Sequence, residues 1–257
     1  MTSAVSLSIV TVTHNSSQDL RSNWSHLNSG DFEWIVVDNA STDDSPSLAA
    51  AMGATSVIRL DRNSGFANAS NLGATIARGS YLGFVNPDVI VDSRGLAEVR
   101  ACLEENNWIV SPQLLNKDNS LQPNGRGAPF LLAKILGRVS PTTANKHHYY
   151  RYKQTEEPVR VEWLIGASVF LRSATFRQLG GWDSRYFLYY EDSDFGIRAG
   201  RLSIPSYLIG SQTWVHEWGR ATKHLNVGAW LYEISSAIRF YKTYPEFLWG
   251  RGLVNRK

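Results

Sequence analysis

Between residues 6 and 85, four short β-branched, apolar runs alternate with segments of helical spacing. The runs are Ser6–Thr13, Trp34–Val37, Ser56–Leu60 and Tyr81–Val85; the helical segments are Leu20–Leu27, Ser45–Met52 and Ala67–Ala77. Strands alternating with helices of this length indicate a parallel sheet in a doubly wound layout, and in such sheets ligands bind beyond the carboxyl ends of the strands. The polar residues fall at those ends. His14 and Asn15, Asp38 and Asn39, and Asn86 and Asp88 each follow a strand. Any one set alone is an ordinary turn or helix cap. Together they meet at one sheet edge, where the run YLGFVNPDVIVD at 81–92 carries a carboxylate to the end of a buried strand and stops it there with a proline.

A chain of 257 residues with 43% hydrophobic content can bury one large core as readily as two small ones, and no low-complexity linker divides it. Its apolar runs fall far short of the roughly 20 residues that span a bilayer, and no basic n-region precedes an apolar stretch at the N-terminus. A soluble, unexported, cytoplasmic protein is therefore expected. The single cysteine, Cys102, excludes an internal disulfide framework and a Cys-based zinc site. Residues 1–116 hold 6 Lys and Arg against 12 Asp and Glu, and residues 117–257 hold 20 against 11, so the halves carry −6 and +9. The acidic half argues against a nucleic-acid partner. The basic half suits phosphates or an anionic membrane, and equally well a set of solvated helix faces.

The second half differs in texture. Residues 121–153 form a long Gly-, Pro-, Arg-, His- and Tyr-rich excursion with one short helix around Phe130–Leu136, the form of a lid or binding loop. Val159–Leu171 returns to strand character with Gly166 in its middle, where a glycine suggests close approach to the backbone. Leu179–Asp183 reads as a turn, Phe187–Gly200 opens a helix, and Ser206–Ile209 and Thr213–Val215 are short strands leading to His216.

Five segments, VTVTHN at 10–15, VVDNASTDDS at 36–45, NSGFANASNLGATIARGSYLGFVNPDV at 63–89, WLIGASVFLR at 163–172 and LGGWDSRYFLYYEDSDFGIRAG at 179–200, occur in an order and spacing that resemble family 2 glycosyltransferases, in particular their rhamnosyltransferase-like branch. The likeness covers about residues 6–218. It implies a GT-A fold: an α/β, Rossmann-like, mostly parallel central sheet flanked by helices. That single domain would span 1–218, with a donor half of about 1–116 and an acceptor and catalytic half of about 117–218, followed by a helical extension at 219–257. The implied reaction is inverting transfer of a sugar from a nucleotide-diphosphate donor.

The same resemblance distributes roles. Asp88 would hold a divalent cation, Mg²⁺ or Mn²⁺, against the diphosphate, with Pro87 fixing the bend. The family's Asp-any-Asp motif has Asn86 at its first position here, a neutral oxygen without charge. His216 would be a further metal ligand; the other reading packs it between Trp214 and Trp218. Asp38 would accept the N3–H of uracil or thymine, with Val12, His14, Gly65 and Asn71 lining the nucleoside; Gly65 and Asn71 also fit simple capping around Ala67. Asp192 would be the general base and Glu191 its support, with Gly166 and Trp182 on the acceptor side. The competing reading of those acids is a helix N-terminus with an exposed Asp194–Arg198 pair.

The implied partners are a dTDP- or UDP-linked sugar, L-rhamnose from dTDP being the branch's donor, and a glycan or lipid-linked glycan acceptor of bacterial surface polysaccharide synthesis. Residues 227–257 combine aromatic and basic side chains, and such helices either lie peripherally on the inner face of the cytoplasmic membrane or cap a core. Other enzyme classes fit poorly. THNSSQD after the first strand has no glycine, Lys or Arg for a nucleotidyltransferase phosphate loop, and Gly-x-Gly-x-x-Gly is absent there. A non-catalytic sugar-nucleotide-binding module remains the alternative, and the Glu191–Asp192 pair speaks against it.

Overall fold

The computed structural model describes residues 6–27, 32–139, 150–151, 155–217 and 227–248. Strands β1 (Leu7–Thr13), β2 (Glu33–Asp38), β3 (Ser56–Arg59) and β4 (Tyr81–Val85) alternate with helices α1 (Ser17–Asn23), α2 (Ser45–Ala51) and α3 (Phe66–Ile76). They pair in parallel, in the order β3-β2-β1-β4. Then follow β5 (Val89–Ile90), α4 (Ser93–Glu105), β6 (Ile109–Leu115), β7 (Gly125–Arg126), α5 (Leu131–Val139), β8 (Tyr150–Arg151), β9 (Val159–Val161), β10 (Trp163–Leu164) and β11 (Ser168–Arg172). The chain closes with α6 (Ser173–Gln178), α7 (Glu191–Arg201), β12 (Ser206–His216), α8 (Val227–Thr243) and a 3₁₀ turn at Pro245–Phe247.

Among the described residues the main sheet has nine strands, continuing from β4 through β11, β6, β12 and β5, with β9 also on β12. Strand β11 is antiparallel to β4 and β6, whereas β12 is parallel to β6, so the sheet is mostly parallel as expected. Successive side chains of a strand point to opposite faces. Ile9, Val36 and Phe170 enter a core with Leu20, Trp24, Val99 and Trp214, while Val10, Ile35, Val37, Val169 and Leu171 enter another with Ala67, Phe176, Trp182 and Phe195. Strands apolar on both faces require helices on both, which is the physical content of the GT-A layout.

Several boundaries differ from the sequence expectation. Helix α1 begins at Ser17, three residues before Leu20, because the Ser17 N–H is capped from the next loop by Asp43 Oδ2 at 3.0 Å. Helix α7 begins at Glu191 rather than Phe187, because Tyr189 and Tyr190 both adopt φ = 68°, which a right-handed helix cannot continue. The expected strand 159–171 is three pieces in different pairings: β9 on β12, β10 on β7, and β11 on β4 and β6. Gly166 lies between two of them, and a Cβ there would meet the Phe66 ring at 3.4 Å, so packing does not demand a glycine. The two expected short strands at 206–215 are one strand with a register shift between Ile209 and Thr213. The excursion carries β7, α5 and β8, and β7 and β8 form a three-stranded antiparallel sheet with β10; residues 140–149 and 152–154 lie outside the described set.

Of the expected extension, residues 219–226 and 249–257 lie outside the described set, and α8 with the 3₁₀ turn is described. Phe240, Tyr241, Tyr244 and Phe247 pack on Tyr186, Tyr190 and Ile197, so the extension is built onto α7 through a third apolar cluster. The opposite side of α8 leaves Leu231, Ile234 and Ile238 each more than half exposed. Among the described residues no helix is long and apolar enough to cross a membrane.

Candidate active site

The parallel register of β1, β2 and β4 sets Thr13, Asp38 and Val85 at one edge of the sheet. Asp38 is buried there; its carboxylate accepts from Thr13 Oγ1 at 2.9 Å, from the Ser41 N–H at 3.1 Å and from the Ser41 hydroxyl. Val12 is half-buried and His14 exposed, with Nδ1 2.9 Å from the Asn39 carbonyl. A carbonyl only accepts, so that nitrogen carries the hydrogen. Asn39 organises the next loop: Oδ1 accepts from Ser64 N–H at 2.7 Å, and Nδ2 donates to Asn63 Oδ1 at 2.9 Å. Gly65 has φ = 83° and a Cβ there would collide with the Phe187 carbonyl, which instead accepts the Phe66 N–H at 3.1 Å. Only glycine fits both demands.

Asn71 and Trp182, expected on the donor and acceptor sides, are tied to each other. Asn71 Nδ2 donates to the Trp182 carbonyl at 2.7 Å, and Asn71 Oδ1 accepts the Trp182 N–H at 2.9 Å. The Trp182 ring is 2% exposed and packs against Phe66, Phe84, Phe176 and Phe195. In this conformation both residues brace the turn that leads to α7.

Beyond β4, the Asn86 N–H donates to the Ala167 carbonyl at 2.9 Å, and the Pro87 carbonyl accepts from Trp24 Nε1 at 3.2 Å. The bend delivers the chain to β5, whose Val89 is opposite His216 of β12, and the Glu217 N–H donates to the Asp88 carbonyl at 2.8 Å. This pairing brings His216 Nε2 to 3.3 Å from Asp88 Oδ2. Gln122 fixes the ring: its Oε1 lies 2.7 Å from His216 Nδ1, and its Nε2 donates to Asn116 Oδ1 at 3.1 Å. The amide orientation therefore places the imidazole hydrogen on Nδ1 and turns the Nε2 lone pair toward a carboxylate. Two acceptors facing each other call for a proton or a cation between them. Asp88 Oδ1, buried and without a hydrogen-bond partner, adds a further acceptor. The donor set thus fits a divalent cation.

No group of three His, Cys, Asp or Glu side chains able to hold a metal occurs among the described residues, so Asp88 and His216 would supply only part of the shell. Of the alternative reading of His216, Trp218 lies outside the described set and Trp214 stacks edge-on against Phe170. Asp19 of α1, which no sequence signal marked, faces this region: burial raises its pKa, and the charges of Asp88 and Glu217 add to the shift.

Glu191 and Asp192 open α7 directly after the two left-handed tyrosines, a strained entry of the kind that persists when surrounding structure holds it. Glu191 is buried and its Oε2 has no partner; burial, and then the charge of Asp192, push its pKa up to about 8. Burial also raises the Asp192 pKa, opposed by the Lys134 and Arg126 cations and by hydrogen bonds from the Ser193 and Gly166 N–H groups. The Ser193 N–H lies 2.7 Å from Asp192 Oδ1. Burial thus disfavours charge on both members of the pair, and the N–H donors and cations that oppose it meet Asp192. Gly166 is the neighbour of Ala167, whose carbonyl binds Asn86, so the carboxylates of α7 and the Asp88 bend share one sheet edge.

The expected exposed Asp194–Arg198 pair forms, at 2.7 Å, but Asp194 is buried and also accepts from Tyr244 Oη at 2.7 Å. Phe195 and Ile197 turn the neighbouring face of α7 into the core, which is why the pair is not solvated. Lys134, absent from the sequence-derived set, stands 3.4 Å from the Tyr190 ring centroid and 3.1 Å from Ser193 Oγ. Its one trace in the sequence is a cation inside the apolar helix FLLAKIL.

Comparisons with known proteins bear on the family and the fold. Residues 8–171, well over half of the chain, match the family model described as glycosyl transferase family 2. The N-acetylglucosaminyl-diphospho-decaprenol L-rhamnosyltransferase of Mycobacterium tuberculosis is 31% identical over 217 residues, covering 73% of this chain and 67% of that protein. Among solved structures, S. aureus TarS 1-349 in complex with UDP-GlcNAc superposes with a TM-score of 0.59 at 15% identity, over 96% of this chain and 71% of that one. GalNAc-T7 with UDP, GalNAc and Mn²⁺ gives 0.60 at 15% identity, over 85% of this chain and 45% of that one. At such identities the two structures bear on fold alone, and both are GT-A glycosyltransferases. Sequence match, sheet order and site geometry converge: the chain is a glycosyltransferase and belongs to glycosyl transferase family 2.

Proposed function

We propose that this glycosyltransferase moves a hexose, L-rhamnose from dTDP-rhamnose by first choice, with inversion, from the nucleotide diphosphate to a lipid-linked saccharide acceptor. The observation that carries the reading is the Asp192 carboxylate, held by two N–H groups beside the buried Glu191, at the sheet edge that also bears Asp88. Asp38 accepts the pyrimidine N3–H, flanked by Val12 and His14. Asp192 takes the proton of the acceptor hydroxyl as it attacks the anomeric carbon opposite the departing diphosphate, with Glu191 as its support. Gly166 orients Asp192 through its N–H and borders the acceptor. Asp88 and His216 hold the divalent cation, Mg²⁺ or Mn²⁺, which when bound offsets charge on the diphosphate; Asn86 lies beside them as a neutral oxygen. Residues 1–218 form the catalytic domain and 219–257 an extension to it.

Support for the donor and acceptor classes comes from the relatives: TarS is seen with UDP-GlcNAc, GalNAc-T7 with UDP and Mn²⁺, and the mycobacterial relative is named for a diphospho-decaprenol-linked acceptor. Thermal shift against a panel of sugar nucleotides, with and without Mn²⁺ or Mg²⁺, should single out one dTDP- or UDP-sugar. NMR of the product should then show inverted anomeric configuration. Stabilisation by a donor with no turnover on any acceptor would favour the non-catalytic binding module.

A lipid-linked acceptor places the protein on the inner face of the membrane, and α8 suits that position. Its outer side presents Leu231, Ile234 and Ile238 beside Arg239 and Lys242, so apolar and basic groups share one exposed face. A helix apolar on both sides is covered on both, and the basic rim favours an anionic lipid surface as the cover. Binding to phosphatidylglycerol vesicles is expected at low salt and should weaken as salt rises, since exposed charges are screened beyond about 10 Å at 0.1 M. The Ile234→Asp variant should float with vesicles less than the parent. No flotation of the parent at low salt would remove the membrane reading.

A further inference from the structure

We infer that Lys134 is a positioning residue for this reaction: acting through Ser193, it holds the Asp192 carboxylate in place and sets a positive charge beside it. The inference rests on the reading of Asp192 as the base and adds to it a cation from a different part of the chain.

The geometry is a chain of three groups. Lys134 Nζ is 3.4 Å from the Tyr190 ring centroid, 5.1 Å from that of Trp163 and 5.6 Å from that of Phe240, so the ammonium sits among three aromatic rings contributed by the residue before α7, by β10 and by α8. Rings attract a cation through their quadrupoles, and they also restrict where it can go. From there Nζ reaches Ser193 Oγ at 3.1 Å. An ammonium has donors and no acceptor, so Ser193 Oγ must accept from it. The serine's own hydrogen is then directed elsewhere, and Asp192 Oδ1 lies 3.4 Å away. The same oxygen receives the Ser193 N–H at 2.7 Å. Ser193 is fully buried, so water does not compete for either of its bonds.

The lysine thereby leaves the Ser193 hydroxyl hydrogen available to Asp192, while the Ser193 N–H is set by the start of α7. A neutral residue at 134 would free Ser193 Oγ to turn away from Asp192 and would remove a positive charge close to the Glu191–Asp192 pair. Among the described residues, other charged groups that bear on Asp192 and its partner include Glu191 and Asp194 on α7 and Arg126 on β7. Arg126 shares the sign of Lys134, and the bond to Ser193 Oγ comes from Lys134. Tyr190 is also the residue forced into φ = 68°, so the cation on its ring face helps hold the strained entry to α7.

The test reads the carboxylate directly and needs no substrate. Protein labelled with ¹³C at Asp carboxyl carbons is titrated by NMR, and the Asp192 signal is identified by its loss in Asp192→Asn. Lys134→Met is expected to raise the Asp192 midpoint by on the order of one pH unit, as loss of a nearby opposite charge does. Lys134→Arg should restore most of that shift. Ser193→Ala, which keeps the charge and every ring contact, should lower turnover of the donor singled out above about tenfold with little change in its KM. An Asp192 midpoint equal to the parent's in Lys134→Met overturns the inference. If that variant does not fold, parental turnover in Ser193→Ala overturns it instead. The underlying reading fails separately: full turnover by Asp192→Asn would remove Asp192 as base whatever its midpoint.

Discussion

Asp192→Asn is expected to lower turnover by about 10² to 10⁴ while leaving donor affinity nearly unchanged, because removal of a general base typically costs that much and the nucleotide is held elsewhere. The asparagine keeps the shape of the side chain and an oxygen for the Ser193 and Gly166 N–H groups, so the entry to α7 should be undisturbed. What it loses is a site for the proton. Glu191 is a poor substitute: it is buried, one of its oxygens has no partner, and desolvation disfavours the charged form that a base needs. The pH profile of the parent should accordingly rise as Asp192 ionises on the acid side. Steady-state kinetics decide: unchanged kcat in Asp192→Asn would sink the assignment.

The second large effect is expected at the Asp88 bend. Asp88→Ala should weaken divalent-dependent donor binding by at least about 10- to 100-fold, the range already associated with losing a partner that merely orients a ligand. His216→Ala should act in the same direction but less. In the Asp88 variant His216 keeps its bond to Gln122 but loses the carboxylate opposite Nε2, and the unpartnered Asp88 Oδ1 is gone. Isothermal titration of the donor with Mn²⁺, and again after chelation, measures both parts. Equal metal dependence in Asp88→Ala, His216→Ala and parent would show that the ion, if any, binds elsewhere.

Legibility in the sequence followed the range of the interactions. The strands and helices of residues 7–85 were readable because period-two and period-3.6 patterns are local, and their alternation dictates parallel pairing. Where one apolar run changes sheet partners, as at 159–172, the residues give no sign of it, since β9, β10 and β11 are equally apolar and differ only in what lies beside them. Asp88 and His216 could each be marked, yet the contact between them exists because Val89 pairs with His216, a long-range register that no local pattern encodes. Gln122, which sets the tautomer of His216, and Lys134, which reaches Ser193, come from the excursion and carry no periodic signal. Asn71 and Trp182 belong to the motif segments, and the pairing of the Asn71 amide with the Trp182 backbone is a long-range contact that neither segment shows alone.

The strand order has a consequence for how such a chain can be divided. Because β11 is inserted between β4 and β6, and β5 is paired only with β12, the two halves of the sequence are interleaved in one sheet rather than placed side by side. A fragment ending near residue 116 would present β4 with an open edge and β5 with no neighbour, and unpaired edges of that kind invite association with other chains. Residues 1–116 and 117–218 are therefore not exchangeable modules, and a chimera cut at that point would sever the sheet. During synthesis the bend that carries Asp88 lacks its partner strand until β12 has emerged, after most of the sheet around it.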